Sequence, residues 1–212
     1  DGTMGPIQTL SGQFTVPASL GTTSGTNLFH SFKAFNVNSG ESATFTGPNS
    51  ISNVVTRVTG GEMSSINGLL RSQVGNANFY FINPSGIVFG YQSKIDVPAA
   101  FHAGAVDTLH FLDGTPYGIA TPANSLTISA PENFGLTAAS LTNNGFLHVD
   151  STDLTVNNNQ TLELAAKTVE IHDSHLTANE GNIKLLGGDV GMVASSISSD
   201  TYSASNAGNI DI

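Results

Sequence analysis

Leu147-His148-Val149, Val169-Glu170-Ile171 and Val190-Gly191-Met192 are three short segments cut to one pattern, two apolar residues flanking a polar one or a glycine. In an extended chain that alternation puts both apolar members on one face. The same pair precedes them as Leu126/Ile128 and comes after them as Ile210/Ile212, so the spacings run 21, 22, 21 and 20. A second ladder links Leu162/Leu164 to Ile183/Leu185 at a spacing of 21, and a third runs Leu154, Leu176, Ile197 at 22 and 21. Three apolar ladders with one shared period predict three inward-facing strands per turn of a coil. Helical repeats need roughly 33 residues or more, and the leucine-rich consensus is missing. The expected fold is all-β: a right-handed parallel β-helix, a single-stranded solenoid with turns of about 21 residues stacked about 4.8 Å apart.

The first half carries the period more faintly, in Val37, Val58 and Phe79, in Phe45, Ile66, Ile87 and Leu109, and in Val74 and Ile95. All these ladder residues are expected inside. The one stretch with some helical character, Glu62 to Arg71, is weakened by Gly60, Gly61 and Gly68. Residues 1–50 are read as an N-terminal cap with the first turns, Phe29, Phe32 and Phe35 plugging the open end, and 51–212 as further turns. The last ladder breaks off at Ile210-Asp211-Ile212, which suggests a natural protein that continues with more turns.

Only 10% of residues are charged, so the surface must come from Ser, Thr, Asn and Gly, which favour turns and strands over helices. The net charge is −10, and Lys33, Arg57, Arg71, Lys94, Lys167 and Lys184 are scattered singly, which argues against nucleic acid or an anionic membrane as partner. Cysteine is absent, which for an exported chain would mean that no disulfide can lock it before it crosses a membrane. No segment reaches the roughly 18 apolar residues of a membrane span.

Candidate chemistry is sparse. A β-helix polysaccharide lyase or hydrolase would need paired carboxylates or a basic residue beside them. Asp150 with Asp153, and Glu170 with Asp173, are the tempting pairs, yet one period after Asp150 stands Ile171. No catalytic residue is expected. His172-Asp173-Ser174-His175 invites a metal, but alternation sends 172 and 175 to different faces, and His30, His102, His110 and His148 show no ligand spacing. No metal and no cofactor are expected. A free-standing carbohydrate-binding adhesive module is the remaining alternative, disfavoured by four tyrosines and no tryptophan.

Two stretches carry a family resemblance. Asn27-Leu28-Phe29-His30-Ser31-Phe32, preceded by Gly25-Thr26 and followed by Phe35-Asn36-Val37, resembles the start of filamentous-haemagglutinin-type secretion domains. Asn83-Pro84-Ser85-Gly86-Ile87, within Asn76 to Gly90, resembles that family's Asn-Pro-Asn-Gly-Ile signature, with Ser85 in place of the second Asn. Val55 to Gly61, Ile66-Asn67-Gly68, Asp1 to Gly5 and Phe111 to Gly114 also fit, whereas the family's Asn-Pro-Asn-Leu motif has no clear counterpart, which marks a divergent branch. The resemblance implies two-partner secretion. Such a domain leads a large exoprotein, is recognised by periplasmic recruiting domains of an outer-membrane β-barrel transporter, and nucleates folding of the passenger behind it. The passenger is commonly an adhesin, haemolysin or toxin that meets a host or cell-surface receptor. The implied location is secreted or cell-surface, by way of the periplasm of a Gram-negative-type bacterium.

Overall fold

The computed structural model describes residues 1–136, 145–201 and 207–212, a parallel β-solenoid of about seven turns. Three faces are built by stacking one strand per turn. The first holds β1 (Gln13–Pro17), β4 (Ser42–Thr46), β7 (Leu69–Ser72) and β10 (Lys94–Asp96), then β16 (Asp153–Thr155), β19 (His175–Thr177) and β22 (Ser196–Ser198). The second holds β3 (Asn27–Phe32), β5 (Asn53–Val58), β8 (Asn78–Ile82), β11 (Phe101–Ala105), β17 (Leu162–Ala166), β20 (Ile183–Leu186) and β23 (Ile210–Asp211). The third holds β6 (Ser64–Ile66), β9 (Ile87–Phe89), β15 (Phe146–Asp150), β18 (Thr168–His172) and β21 (Asp189–Val193). Two strand groups stand apart from this plan. β2 (Thr22–Ser24) folds back antiparallel on β3 and covers the first edge of the second face. Between β11 and β15 the chain leaves the coil to form an antiparallel flap of β12 (Thr108–Phe111), β13 (Pro116–Gly118) and β14 (Pro131–Phe134).

Stacking in register places like on like. Leu28, Val54, Phe79, Phe101, Leu162 and Ile183 succeed one another inside the second face, each at 0% exposure. Ile66, Phe89, Val149 and Ile171 do the same inside the third. Each such side chain contributes about 1.5–3 kcal/mol of burial, available only when the neighbouring turn is in place. The flap makes a second apolar layer outside the coil, where Phe29, Val55, Tyr80 and Ile82 pack against Leu109, Phe111, Tyr117 and Phe134.

The corners between the third and first faces show how so polar a sequence turns sharply. There Ser151, Asp173 and Ala194 hold positive φ of 54°, 47° and 50° in successive turns. The residue after each is a hydroxyl. Thr152 Oγ1 donates to the Ser93 carbonyl at 2.9 Å, Thr152 N–H donates to Ser174 Oγ at 3.1 Å, and Ser174 N–H donates to Ser195 Oγ at 3.1 Å. This hydroxyl ladder satisfies backbone donors that the corner would otherwise orphan.

The structure corrects several expectations. The period of 21 holds for the later turns only: Leu147 to Val169 to Val190, Leu162 to Ile183 and Leu154 to Leu176 to Ile197 pair as expected. The early turns are longer, pairing Val16 with Phe45, Ser42 with Leu69, and Asn27 with Asn53. The faint early ladders are coincidences in an apolar chain. Val37 bridges Ile66, Val58 pairs with Phe32, Phe79 with Val54, and Ile95 with Leu70. Leu109 lies in the flap. Leu126 and Ile128 are not a turn of the coil either: they lie within the flap, between β13 and β14, Ile128 is 75% exposed, and Leu147 pairs instead with Ile87. Ile210 pairs with Ile183 rather than Val190. The last turns are open to solvent, with Met192 at 37% and Ile212 at 72%, because nothing among the described residues stacks on them. Residues 62–71 give β6 and part of β7 and no helix. The three phenylalanines do not form one plug: Phe32 and Phe35 touch inside the coil at 4.9 Å, while Phe29 faces outward under the flap.

Candidate functional site

Asn83-Pro84-Ser85-Gly86 is the corner from β8 to β9, and Asn83 is its centre. The side chain is at 0% exposure and both its polar atoms are used. Its Oδ1 accepts from Ser85 N–H at 3.0 Å, closing an Asx turn, and its Nδ2 donates to Ser64 Oγ at 2.9 Å and to the Glu62 carbonyl at 3.0 Å. Asn83 N–H donates to the Gly104 carbonyl of the next turn at 3.0 Å. One residue thus ties three consecutive turns. Gly86 sits at φ +122°, a conformation open to glycine, and a Cβ there would meet the Phe146 ring at 3.1 Å. Ile87 is fully buried; Pro84 and Ser85 are less so.

Asn27 to Phe32 coincides with β3, and its first five residues are buried. Asn27 starts an asparagine stack: its Oδ1 accepts from Asn53 Nδ2 at 2.9 Å, and Asn53 Oδ1 accepts from Asn78 Nδ2 at 3.1 Å. Its own Nδ2 donates outward to the Thr127 and Ser129 carbonyls at 3.2 and 2.6 Å, pinning the chain that leads to β14. Leu28 points into the coil and Phe29 out to the flap. His30 also points inward, in the column that continues with Thr56 and Phe81. Neither ring nitrogen has a well-formed hydrogen bond. Burial pushes its pKa down to about 4, a shift that the Leu20 carbonyl only partly offsets.

Ser31 leads to a residue that composition does not single out. Arg57 reads as one of six scattered cations, yet it is 1% exposed. Its Nε donates to Ser31 Oγ at 2.8 Å, one Nη donates to the Gly118 and Thr121 carbonyls, and the other to Thr3 Oγ1 at 3.1 Å. The guanidinium lies 4.9 Å over the Tyr117 ring. Ser31 Oγ and Thr59 Oγ1 in turn donate to the Asp1 carboxylate at 2.5 and 2.7 Å. The Asn27–Phe32 stretch and the Val55–Gly61 run therefore belong to one frame, in which Asn27 and Arg57 clamp the flap onto the second face. The sequence does hold a signal for it: Asn27, Asn53 and Asn78 recur at spacings of 26 and 25, a period distinct from that of the later turns.

The candidate chemistry is dispersed. Glu170 meets His148 at 2.8 Å on the neighbouring turn rather than Asp173, and Asp150 Oδ1 accepts from Ser151 Oγ. His175 Nδ1 is bonded to Ser196 Oγ at 2.6 Å, and His172 stacks on His148 with ring centroids 6.5 Å apart. His102 pairs with Glu163 on the outside of the second face and stacks on Tyr80 at 4.3 Å. His148 faces Glu170 because both are the middle residues of successive ladder segments, whereas His102 and Glu163, 61 residues apart, are brought together by a register that the linear spacing does not display. Among the described residues no group of three or more His, Cys, Asp or Glu side chains is placed to hold a metal ion.

Compared with known families, residues 2–212 match the family model described as TPS secretion domain. No curated protein matches the chain significantly.

Proposed function

The chain belongs to the TPS secretion domain family, the secretion domain of two-partner secretion exoproteins, and on that premise we propose how its two motifs act. Membership implies export across a Gram-negative outer membrane by a cognate transporter, in a role that is not catalytic. We read the domain as the element that the transporter's periplasmic recruiting domains engage and that then nucleates folding of an adhesin-type passenger. In a parallel coil each turn supplies the hydrogen-bonding edge for the next, so a folded first segment lowers the cost of ordering the turns stacked on it. Within that role the Asn83–Ile87 turn and the Asn27–Phe32 strand act by building the coil, and the transporter reads other features of the chain.

The observation that carries this is the burial of Asn83 with its polar atoms engaged by its own or an adjacent turn. Once the domain is folded, a partner has nothing of it left to contact. Changing Asn83→Ala with Pro84→Ala should block secretion of a longer exoprotein by its matched transporter. The purified double variant should also unfold about 1–3 kcal/mol more easily, since Glu62, Ser64 and Ser85 lose their partner. Unchanged stability with weakened binding to the transporter's periplasmic domains would instead assign the turn to direct recognition. Normal secretion would remove the motif from the pathway.

A further inference from the structure

The corner between the third and first faces is flush in its later turns, and one earlier turn breaks the pattern. Phe89 pairs with Val149, and Ser93 is bonded to Thr152, so both ends of the corner are in register. Between those ends the earlier turn has Gly90-Tyr91-Gln92 where the next has only Asp150-Ser151. The extra residue lifts Tyr91 off the coil, where it stands 75% exposed. Gln92 anchors the overhang by accepting from Ser39 Oγ.

Below the overhang is a concave site of about 340 Å³. Lys94, Ser151, Asp153, Asp173 and His175 line it with Tyr91. Its size falls at the lower end of the roughly 300–1,000 Å³ of small-molecule sites. The lining joins one aromatic side chain to carboxylates, an imidazole, an ammonium group and a hydroxyl, drawn from three turns. A pyranose ring presents the complementary surface: a C–H face for the aromatic ring and a rim of hydroxyls for the polar groups. Acting as hydrogen-bond acceptors, the two aspartates would take paired sugar hydroxyls. Two carboxylates against one ammonium group disfavour uronic or sulfated sugars.

We propose that this corner is a binding site for a neutral saccharide, one ring or a disaccharide in size. It is independent of the secretion role, because neither family stretch contributes to it.

The test is titration of the isotopically labelled domain with lactose, cellobiose and chitobiose, with glucuronic acid as the charged comparison, read by amide chemical shifts. At least one neutral sugar should shift resonances clustered at residues 91–94, 151–153 and 173–175 at millimolar concentration. Tyr91→Ala should weaken that binding about tenfold or more, a loss of about 1.4 kcal/mol, without changing the unfolding temperature. Asp153→Asn should weaken it as well. Absence of shifts with all three neutral sugars, shifts that persist in Tyr91→Ala, or glucuronic acid binding as tightly as the neutral sugars would each overturn the proposal.

Discussion

His30 shows how one inward residue sets a pH limit on the coil. Its ring sits among apolar neighbours, with Phe45 edge-on at 5.4 Å and no well-formed hydrogen bond. The folded pKa of about 4 lies below the ordinary 6.5 because burial penalises the charged ring. Above pH 6.5 neither folded nor unfolded chain binds this proton, and stability is independent of it. Between 6.5 and 4 the unfolded chain binds the proton and the folded one does not, so stability falls as pH falls, by about 3 kcal/mol at pH 4 and little further below. Urea unfolding at pH 7 and pH 4 should show that loss, and His30→Leu should remove most of it. An identical pH dependence in the two proteins would show that His30 is not the group responsible. Asn27 and Asn83 make the complementary point: buried polar side chains persist where each hydrogen-bonding atom has a partner.

At the level of strands and corners, two kinds of position recur with opposite demands. The left-handed corner positions Ser151, Asp173 and Ala194 do not need their side chains for the turn and are strained by having one, by roughly 1 kcal/mol for a non-glycine residue. The hydroxyl positions Thr152, Ser174 and Ser195 are needed, because Ser174 Oγ accepts from Thr152 N–H and donates to the His172 carbonyl at 2.6 Å. Ala194→Gly should therefore raise the urea midpoint by the equivalent of about 0.5–1 kcal/mol, and Ser174→Ala should lower stability by about 1–3 kcal/mol. Equal effects in the same direction would mean that the corners are not set by these two requirements. The flap is the other distinctive element. It rests on Phe29, Val55, Tyr80 and Ile82, and the bonds that clamp it come from Asn27 and Arg57.

For the molecule as a whole, one-dimensional stacking makes stability depend on position along the axis. A central strand such as β8 has a partner on each side, β5 and β11. The last turns are less covered: Met192 is 37% exposed and Ile210 45%. Hydrogen exchange should be slowest in β5, β8, β11 and β17 and fastest, by orders of magnitude, in β21, β22 and β23. Uniform protection along the axis would point to all-or-none opening and contradict the additive picture of stacked turns.

The parallel coil was legible from residues 147 to 197 because period-two alternation and a fixed repeat are local properties, and in those turns the corners have nearly constant length. The two family stretches were legible for a similar reason, as contiguous runs of residues. The register of the early turns was not, since it depends on where each longer corner returns the strand to the stack. Ile87 pairs with Leu147, far along the chain, because the flap is inserted between them, and no periodicity records an insertion that leaves the coil. Arg57 looks like a surface cation until Ser31, Gly118, Thr121 and Tyr117 converge around it. Hydrogen-bond register and the burial of polar groups are decided by neighbours distant in the chain, and folding alone brings them together.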